Sequence, residues 1–375
     1  MARESSPRVV VAPDKFKGSL TAQEVAAALA EGIRRVRPEA DVVQVPVADG
    51  GDGTVDAFVA AGWERVDLTA PGPTGEPGPA AYAMREQTAV VELAAVVGLV
   101  KLPADEPDPL GASTYGLGVV IAHALARGAT EIIIGLGGSA STDGGAGMLQ
   151  ALGARVLDAE GRDLPLGGAA LAQAVRFDRT GLDSRVAAAR FTLACDVDNP
   201  LLGPTGATAV YGPQKGVTAS DHTILEAALE NWSRLAGPGY AELPGAGAAG
   251  GTGFGALAVL GARMRSGIEV ILELLDFPAQ VKGAALAITG EGSLDEQSLH
   301  GKAPIGVCAV ARAAGVPVVA AAGRTTLDPA AIQDAGFTAC YPLSELEPDT
   351  ARSMAAAAEL LHTVGERIAT EHLAD

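Results

Sequence analysis

Ile132-Ile133-Ile134-Gly135-Leu136-Gly137-Gly138-Ser139-Ala140-Ser141-Thr142-Asp143-Gly144-Gly145 opens as a β-branched run and ends in a loop of five glycines, two serines, a threonine and an aspartate. The run reads as a buried strand. Glycines let backbone N–H groups approach an anion closely, and the hydroxyls add donors. An aspartate in such a loop can hold Mg2+ or take a proton. Strand, glycine-rich turn and helix is the α/β way of holding phosphates. The competing reading is a tight turn between two core elements. Recurrence of similar loops along the chain favours the first.

Val9–Ala12 reads as a short strand ending in Pro13-Asp14-Lys15-Phe16-Lys17-Gly18-Ser19, and Thr21 and Glu24 form a capping box for a helix to about Arg37. Val42–Val47 is a second strand, ending in Asp49-Gly50-Gly51-Asp52-Gly53-Thr54 before another helix. This order predicts a parallel sheet. Residues 71–79 break the pattern with turns. Paired strands are expected at 80–84 and 88–93, a helix at 113–127, and a hairpin at 153–164 around Glu160-Gly161. Phe191–Cys195 is a strand ending in Asp196-Val197-Asp198-Asn199-Pro200, and a helix covers about 219–236. Alternation returns with a strand at 285–289 ending in Gly290-Glu291-Gly292, a helix at 304–314, a strand at 317–321 ending in Gly323-Arg324, and a helix at 350–371. The expected architecture is α/β with two domains. Residues 1–70 and 284–375 form a discontinuous parallel-sheet domain, residues 71–283 form an inserted mixed α/β domain, and the site lies in the cleft between them.

A chain of 375 residues with 48% hydrophobic and 19% charged residues is globular and long enough for about two domains. The formal net charge of −18 and 4% aromatics argue against nucleic acid and anionic membranes as partners. Cys195, Cys308 and Cys340 are widely spaced, without CxxC, as in a reduced cytoplasmic protein. His123, His222, His300, His362 and His372 form no cluster, so zinc is not expected. The polar start, residues 1–8, has no apolar signal core, and no apolar run approaches membrane-spanning length.

In an open parallel sheet, ligands bind outside the carboxyl ends of the strands. Four proposed strands end at Asp14/Lys15/Lys17, Asp49/Asp52, Glu291 and Arg324, and two in the inserted part end at Gly137–Asp143 and Asp196/Asp198. Backbone donors, carboxylates and lysines gathered this way are the parts of phosphoryl transfer. Gly290-Glu291-Gly292, an acid between glycines at a buried strand's end, is placed for a ligand or a backbone clamp, while other motifs have plainer alternatives. The 49–53 turn can be only a tight turn with a helix cap. Asp196 and Asp198 lie two apart and face the same way on an extended chain, as a metal pair would, or Asp198 caps a turn made by Asn199-Pro200. Lys17 and Lys215 can be solvated surface charges. Gly245-Ala246-Gly247-Ala248-Ala249-Gly250 matches GxGxxG, but no strand precedes it, so close helix packing or a nucleotide-contacting turn is expected rather than NAD binding. No segment fits GxxxxGK[ST].

Taken together, the chain resembles the bacterial glycerate kinase family, which includes glycerate 2-kinases. The resemblance lies in Ala12–Leu20, Pro46–Thr54, Gly135–Ala140, Asp143–Met148, Cys195–Gly203, Gly212–Gly216, Pro244–Gly251 and Thr289–Gly292 through Asp295 to Lys302, collinear over nearly the whole chain. It implies a flavodoxin-like domain, a small-molecule partner, and ATP- and Mg2+-dependent phosphorylation of D-glycerate, with 2-phosphoglycerate as product, in cytoplasmic glyoxylate or glycerate metabolism. Under this reading Gly137, Gly138, Ser139 and Asp143 hold ATP phosphates, assisted by Lys302. Lys17 offsets transferring charge. Asp196 or Asp198 deprotonates the acceptor or holds Mg2+, Glu291 is a further catalytic residue, and Asp14, Lys15, Asp49 and Arg324 meet the substrate. A homo-oligomer stays open. Two positions depart from the family pattern: Asp52 stands where a glutamate is expected, and Ser293 where an arginine is expected. The alternatives are a kinase of another small hydroxy acid, 3-phosphoglycerate as product, a non-catalytic sugar-acid sensor, and an NAD-dependent oxidoreductase.

Overall fold

The computed structural model describes residues 6–103, 106–299 and 301–373. His300 and the first five residues, on which parts of the sequence reading fall, lie outside these. Among the described residues the strands are β1 (Arg8–Pro13), β2 (Asp41–Gln44), β3 (Glu64–Pro71), β4 (Pro77–Arg85), β5 (Thr88–Glu92), β6 (Glu131–Gly135), β7 (Arg155–Leu157), β8 (Arg176–Asp178), β9 (Arg190–Ala194), β10 (Arg263–Arg265), β11 (Leu286–Leu294), β12 (Val318–Thr325) and β13 (Ala339–Pro342).

The chain divides into two compact units. Unit 1 comprises Met1–Asp49, Asp56–Gly62 and Ser266–Asp375, and unit 2 comprises Gly50–Val55 and Trp63–Arg265. These bounds differ from 70/71 and 283/284 for two reasons. β3 pairs with β4 from Glu64↔Met84 to Pro71↔Pro77, which ties 64–70 to unit 2. The helix Gly267–Leu274 packs on the helix Ala303–Ala313, where Gly306 leaves room for Ile268.

Unit 1 holds an all-parallel sheet in the order β13-β12-β11-β1-β2. Renumbered within the unit this is 2-1-3-4-5, the flavodoxin-like doubly wound order. Its strands are continuous apolar runs: Val9, Val10, Val11, Ala287, Ile288, Val318 and Val319 are essentially inaccessible, as expected for a sheet covered on both faces. The helix Ala22–Val36 starts at the predicted capping box, with Thr21 accepting from the Glu24 N–H and Glu24 accepting from the Thr21 N–H. It packs on the helix Ala357–His372, where Gly32 and Gly365 let the backbones meet. The expected helix at 350–371 is two helices, Thr350–Ala355 and Ala357–His372.

β11 runs five residues beyond the expected end at 289, because β12 stays alongside as far as Leu294↔Thr325, whereas pairing with β1 stops at Pro13↔Gly290. Glu291 is therefore inside a strand, in register with Ala322, just past the end of β1. A Cβ on Gly290 would lie 1.9 Å from the Ala321 carbonyl oxygen. Gly290→Ala is expected to cost about 2–3 kcal/mol of stability, since the obstructing atom is backbone in a paired strand. A urea midpoint unchanged within error would refute this.

Unit 2 holds a mixed sheet in the order β10-β9-β6-β5-β4-β3, antiparallel from β3 to β5 and parallel from β5 to β10. The hairpin expected at 153–164 is only partly formed. Asp158 accepts from the N–H groups of Glu160 and Arg162 and so makes the turn. Only Leu157↔Asp163 bridges beyond it, and β7 pairs instead with β8. Pro165, without an N–H, cannot extend that ladder. No described helix is long and apolar enough to cross a membrane.

Candidate active site

At the carboxyl edge of the unit 1 sheet, strand order reverses between β1 and β11, which is the topological switch point where such sheets bind ligands. β1 is followed at once by Asp14, whose N–H donates to the Gly290 carbonyl (2.8 Å) and whose carboxylate accepts from the Lys15 N–H (2.6 Å). Asp49 follows the extension of β2, in which the Val47 N–H donates to the Pro13 carbonyl. Glu291 completes three carboxylates on three neighbouring chain segments. Burial, then the charge of Asp49, pushes the Asp14 carboxyl up to about 7, with Glu291 adding to the rise and Lys15 opposing it. Burial also raises Glu291, against the pull of Lys302. One Glu291 carboxylate oxygen, Oε1, is buried without a hydrogen-bond partner. A buried carboxyl poised near neutrality at a switch point is what proton transfer requires.

The other unit 1 candidates surround this edge. Lys17 is exposed in the turn closed by the Phe16 N–H on Leu20, and Gly292 lets β11 pass close to the Lys17 N–H. Lys302 occupies the N-cap position of the helix Ala303–Ala313, and its charge acts on Glu291. Arg324 is the register partner of Ser293, and its Nε donates to the Ser293 hydroxyl (3.3 Å). A cation thus stands beside the position where the family pattern has an arginine.

In unit 2, β6 delivers the 137–143 loop, and the 50–55 segment lies against it. The Gly135 and Gly50 backbones approach so closely that a Cβ on Gly135 would sit 2.3 Å from the Gly50 carbonyl oxygen, and one on Gly137 would sit 2.6 Å from the Gly51 Cα. Glu92, at the end of β5, accepts from the Val55 N–H and anchors the segment's other end. Asp143 is fully buried. Its Oδ2 accepts from the N–H (2.8 Å) and hydroxyl (2.8 Å) of Thr114, the Ser113 hydroxyl and the Gly147 N–H, and its Oδ1 accepts from the Gly145 N–H. That carboxylate holds the loop's shape. Gly138 at the loop tip is exposed, while Ser139 is buried.

Lys215 did not stand out in the sequence as a site residue. It is 2% exposed, and its ammonium donates to the Ser139 hydroxyl (2.8 Å) and the Ser141 carbonyl (2.5 Å). The surface-charge alternative fails for it. Burial pulls it down to about 7, with the Asp143 carboxylate acting in the opposite direction. The only available signal was its place in the Gly212–Gly216 motif.

Asp196 and Asp198 follow β9, both exposed, with the intervening Val197 half-buried. Asp198 accepts no hydrogen bond among the described residues, so it caps no turn there. The described residues also contain no group of three His, Cys, Asp or Glu side chains arranged to hold a metal. Two exposed carboxylates still suit Mg2+, which takes one or two from protein and fills its shell with phosphate oxygens and water. The GxGxxG stretch enters a helix through three successive left-handed residues, Ala249, Gly250 and Gly251, with no strand before it, so it is not a dinucleotide fingerprint.

A flavodoxin-like parallel sheet with carboxylates at its switch point, and a second sheet bearing a glycine- and serine-rich loop over a buried lysine, are the parts of an α/β enzyme. The model of the glycerate kinase family matches residues 9–373. The chain belongs to the glycerate kinase family. It is 43% identical to a glycerate kinase of Bacillus subtilis (strain 168), over 95% of this chain and 99% of that protein. It is 44% identical to a glycerate 2-kinase of Escherichia coli (strain K12), over 89% and 90%. Its fold matches a crystal structure from Salmonella typhimurium LT2, of a protein provisionally assigned as glycerate kinase 2, with TM-score 0.85 and 41% identity over 97% of this chain and 98% of that one.

Proposed function

We propose that this protein transfers the γ-phosphoryl group of ATP to D-glycerate with Mg2+, giving 2-phospho-D-glycerate and ADP. The observation that carries the reading is the 44% identity, along most of both chains, to a relative named glycerate 2-kinase. The site chemistry agrees with it. Asp14, helped by Glu291, takes the proton of the acceptor hydroxyl as that oxygen bonds to the γ-phosphorus and the bond to ADP breaks. Lys15, Asp49 and Arg324 bind the acid and its hydroxyls. Gly137, Gly138 and Ser139 bind the phosphates, and Asp143 fixes their loop. Lys17 and Lys302 offset charge on the transferring group. Asp196 and Asp198 suit Mg2+, which would neutralise phosphate charge when bound.

The test couples ATP, Mg2+ and D-glycerate to enolase, pyruvate kinase and lactate dehydrogenase without phosphoglycerate mutase. NADH loss that requires both enolase and D-glycerate is expected. ADP release without the enolase-dependent step would make 3-phosphoglycerate or another phosphorylated acid the product. No ADP release from folded protein would sink the kinase reading.

A further inference from the structure

Lys215 combines three properties. It is a cation in a fully buried setting, it is hydrogen-bonded to the loop assigned to phosphates, and its partner is a hydroxyl. An ammonium has only hydrogens to give, so the Ser139 oxygen must accept. The serine's own proton is then directed elsewhere, and among the described residues no protein group accepts it. The loop carries two more buried hydroxyls, Ser141 Oγ and Thr142 Oγ1, without hydrogen-bond partners. Buried hydroxyls that go unpaired need an explanation, and a ligand is one.

The surrounding backbone makes room for the ammonium. Gly250 is left-handed (φ +66°), and a Cβ there would lie 2.0 Å from the Ser141 carbonyl oxygen and 2.9 Å from Lys215 Nζ. Asp143, whose carboxylate is committed to the donors of Ser113, Thr114, Gly145 and Gly147, is the charged group that acts on Lys215. A lysine held among neutral acceptors, with its one acid already engaged, carries positive potential toward the loop. Burial also lowers Lys215 to about 7, so an arriving anion favours its charged form.

We propose that Lys215 is a positioning residue for the nucleotide phosphates: bonded to Ser139 and Ser141, it turns the Ser139 hydroxyl into a donor for a polyphosphate oxygen. This rests on the kinase reading for the identity of the anion, but its test does not depend on turnover.

The experiment measures MgATP affinity by equilibrium dialysis for wild type, Lys215→Met, Ser139→Ala and the double variant, beside KM and kcat, with melting curves to establish folding. Lys215→Met is expected to weaken MgATP binding about 10- to 100-fold, the worth of hydrogen bonds from a charged group. Its KM for glycerate should move far less. Ser139→Ala should weaken MgATP binding in the same direction, and the double variant should be no worse than Lys215→Met, since the lysine acts through the serine. Folded Lys215→Met with wild-type affinity overturns the proposal, as do fully additive effects. Should Lys215→Met fail to fold, Ser139→Ala decides: unchanged affinity overturns the proposal and weakened affinity supports it. Wild type that binds MgATP in a Lys215-dependent way without phosphorylating glycerate would support this inference and sink the kinase reading. Wild type that phosphorylates glycerate while Lys215→Met binds normally would do the reverse. Wild type that neither binds nor turns over ATP overturns both.

Discussion

Asp14→Asn is expected to lower turnover about 10²- to 10⁴-fold, the usual worth of a general base. The variant keeps the size of the side chain and the oxygen that accepts the Lys15 N–H, so the backbone arrangement should survive. The loss should fall on kcat more than on KM, because proton transfer belongs to the transition state. In wild type the rate should rise with pH through about 7, as Asp14 loses its proton, and this limb should vanish in the variant. Stability should run the opposite way. The folded-state pKa is raised from 3.8, so the folded protein holds a proton between about 4 and 7 that the unfolded chain has released. Below pH 4 the Asp14 carboxyl is protonated in both states, as neutral as the amide of Asp14→Asn, and wild type then loses up to about 4 kcal/mol relative to the variant as pH rises to 7. Urea titrations of both proteins at pH 5 and 8, beside pH–rate profiles, check the two signs. Turnover within tenfold of wild type with the acid limb intact would remove Asp14 from the base role.

Asp143→Ala should be the most damaging single change to unit 2. It strands three buried backbone N–H groups, of Thr114, Gly145 and Gly147, together with the hydroxyls of Ser113 and Thr114, and it removes the negative charge near Lys215. Stripping one partner from a buried charged network costs about 3–5 kcal/mol. The loop should loosen with it. Trp232, whose indole N–H donates to the Gly144 carbonyl (3.0 Å), reports this through its fluorescence. A stability loss below about 1 kcal/mol would mean that water replaces the carboxylate and that the loop is not built around it. Asp143→Asn should fall between, since its amide keeps one acceptor oxygen but turns an N–H₂ toward donors.

The strand-and-loop logic of the chain was legible in the sequence because it is local. β-branched runs mark β1 and β6, a short apolar run marks β11, and glycines with acids mark their ends. The capping box at Thr21 and Glu24 gave the helix start to within a residue. The strand ends that carry the candidate residues were legible for the same reason, since a parallel sheet puts all such ends on one edge. Long-range placement was not. Nothing near Asp143 in sequence announces that Thr114, 29 residues earlier, will saturate it. Lys215 looks like any lysine in a glycine-rich turn until Ser139, 76 residues away, is folded against it. Glu291 read as a loop residue because the continuation of β12 beside it cannot be seen from β11 alone. The stretch at 245–250 matched a dinucleotide motif by composition, yet the left-handed run at 249–251 packs against Ser141, Thr142 and Leu201.

The strand order of unit 1 also dictates a sequence of events in time. β1 precedes its sheet neighbour by more than 270 residues of chain: β11 begins only at Leu286 and β12 at Val318. Until those emerge from the ribosome, β1 can find only β2 and presents an apolar edge made of Val9, Val10 and Val11. The strands of unit 2 are all made in the meantime, so its sheet can assemble while the first unit waits as an unfinished half-sheet. Any delay in synthesis between residues 265 and 286 prolongs that wait. An exposed, β-branched, unpaired edge is the feature from which chains aggregate, so the half-sheet stage is where the growing chain is most open to wrong pairing.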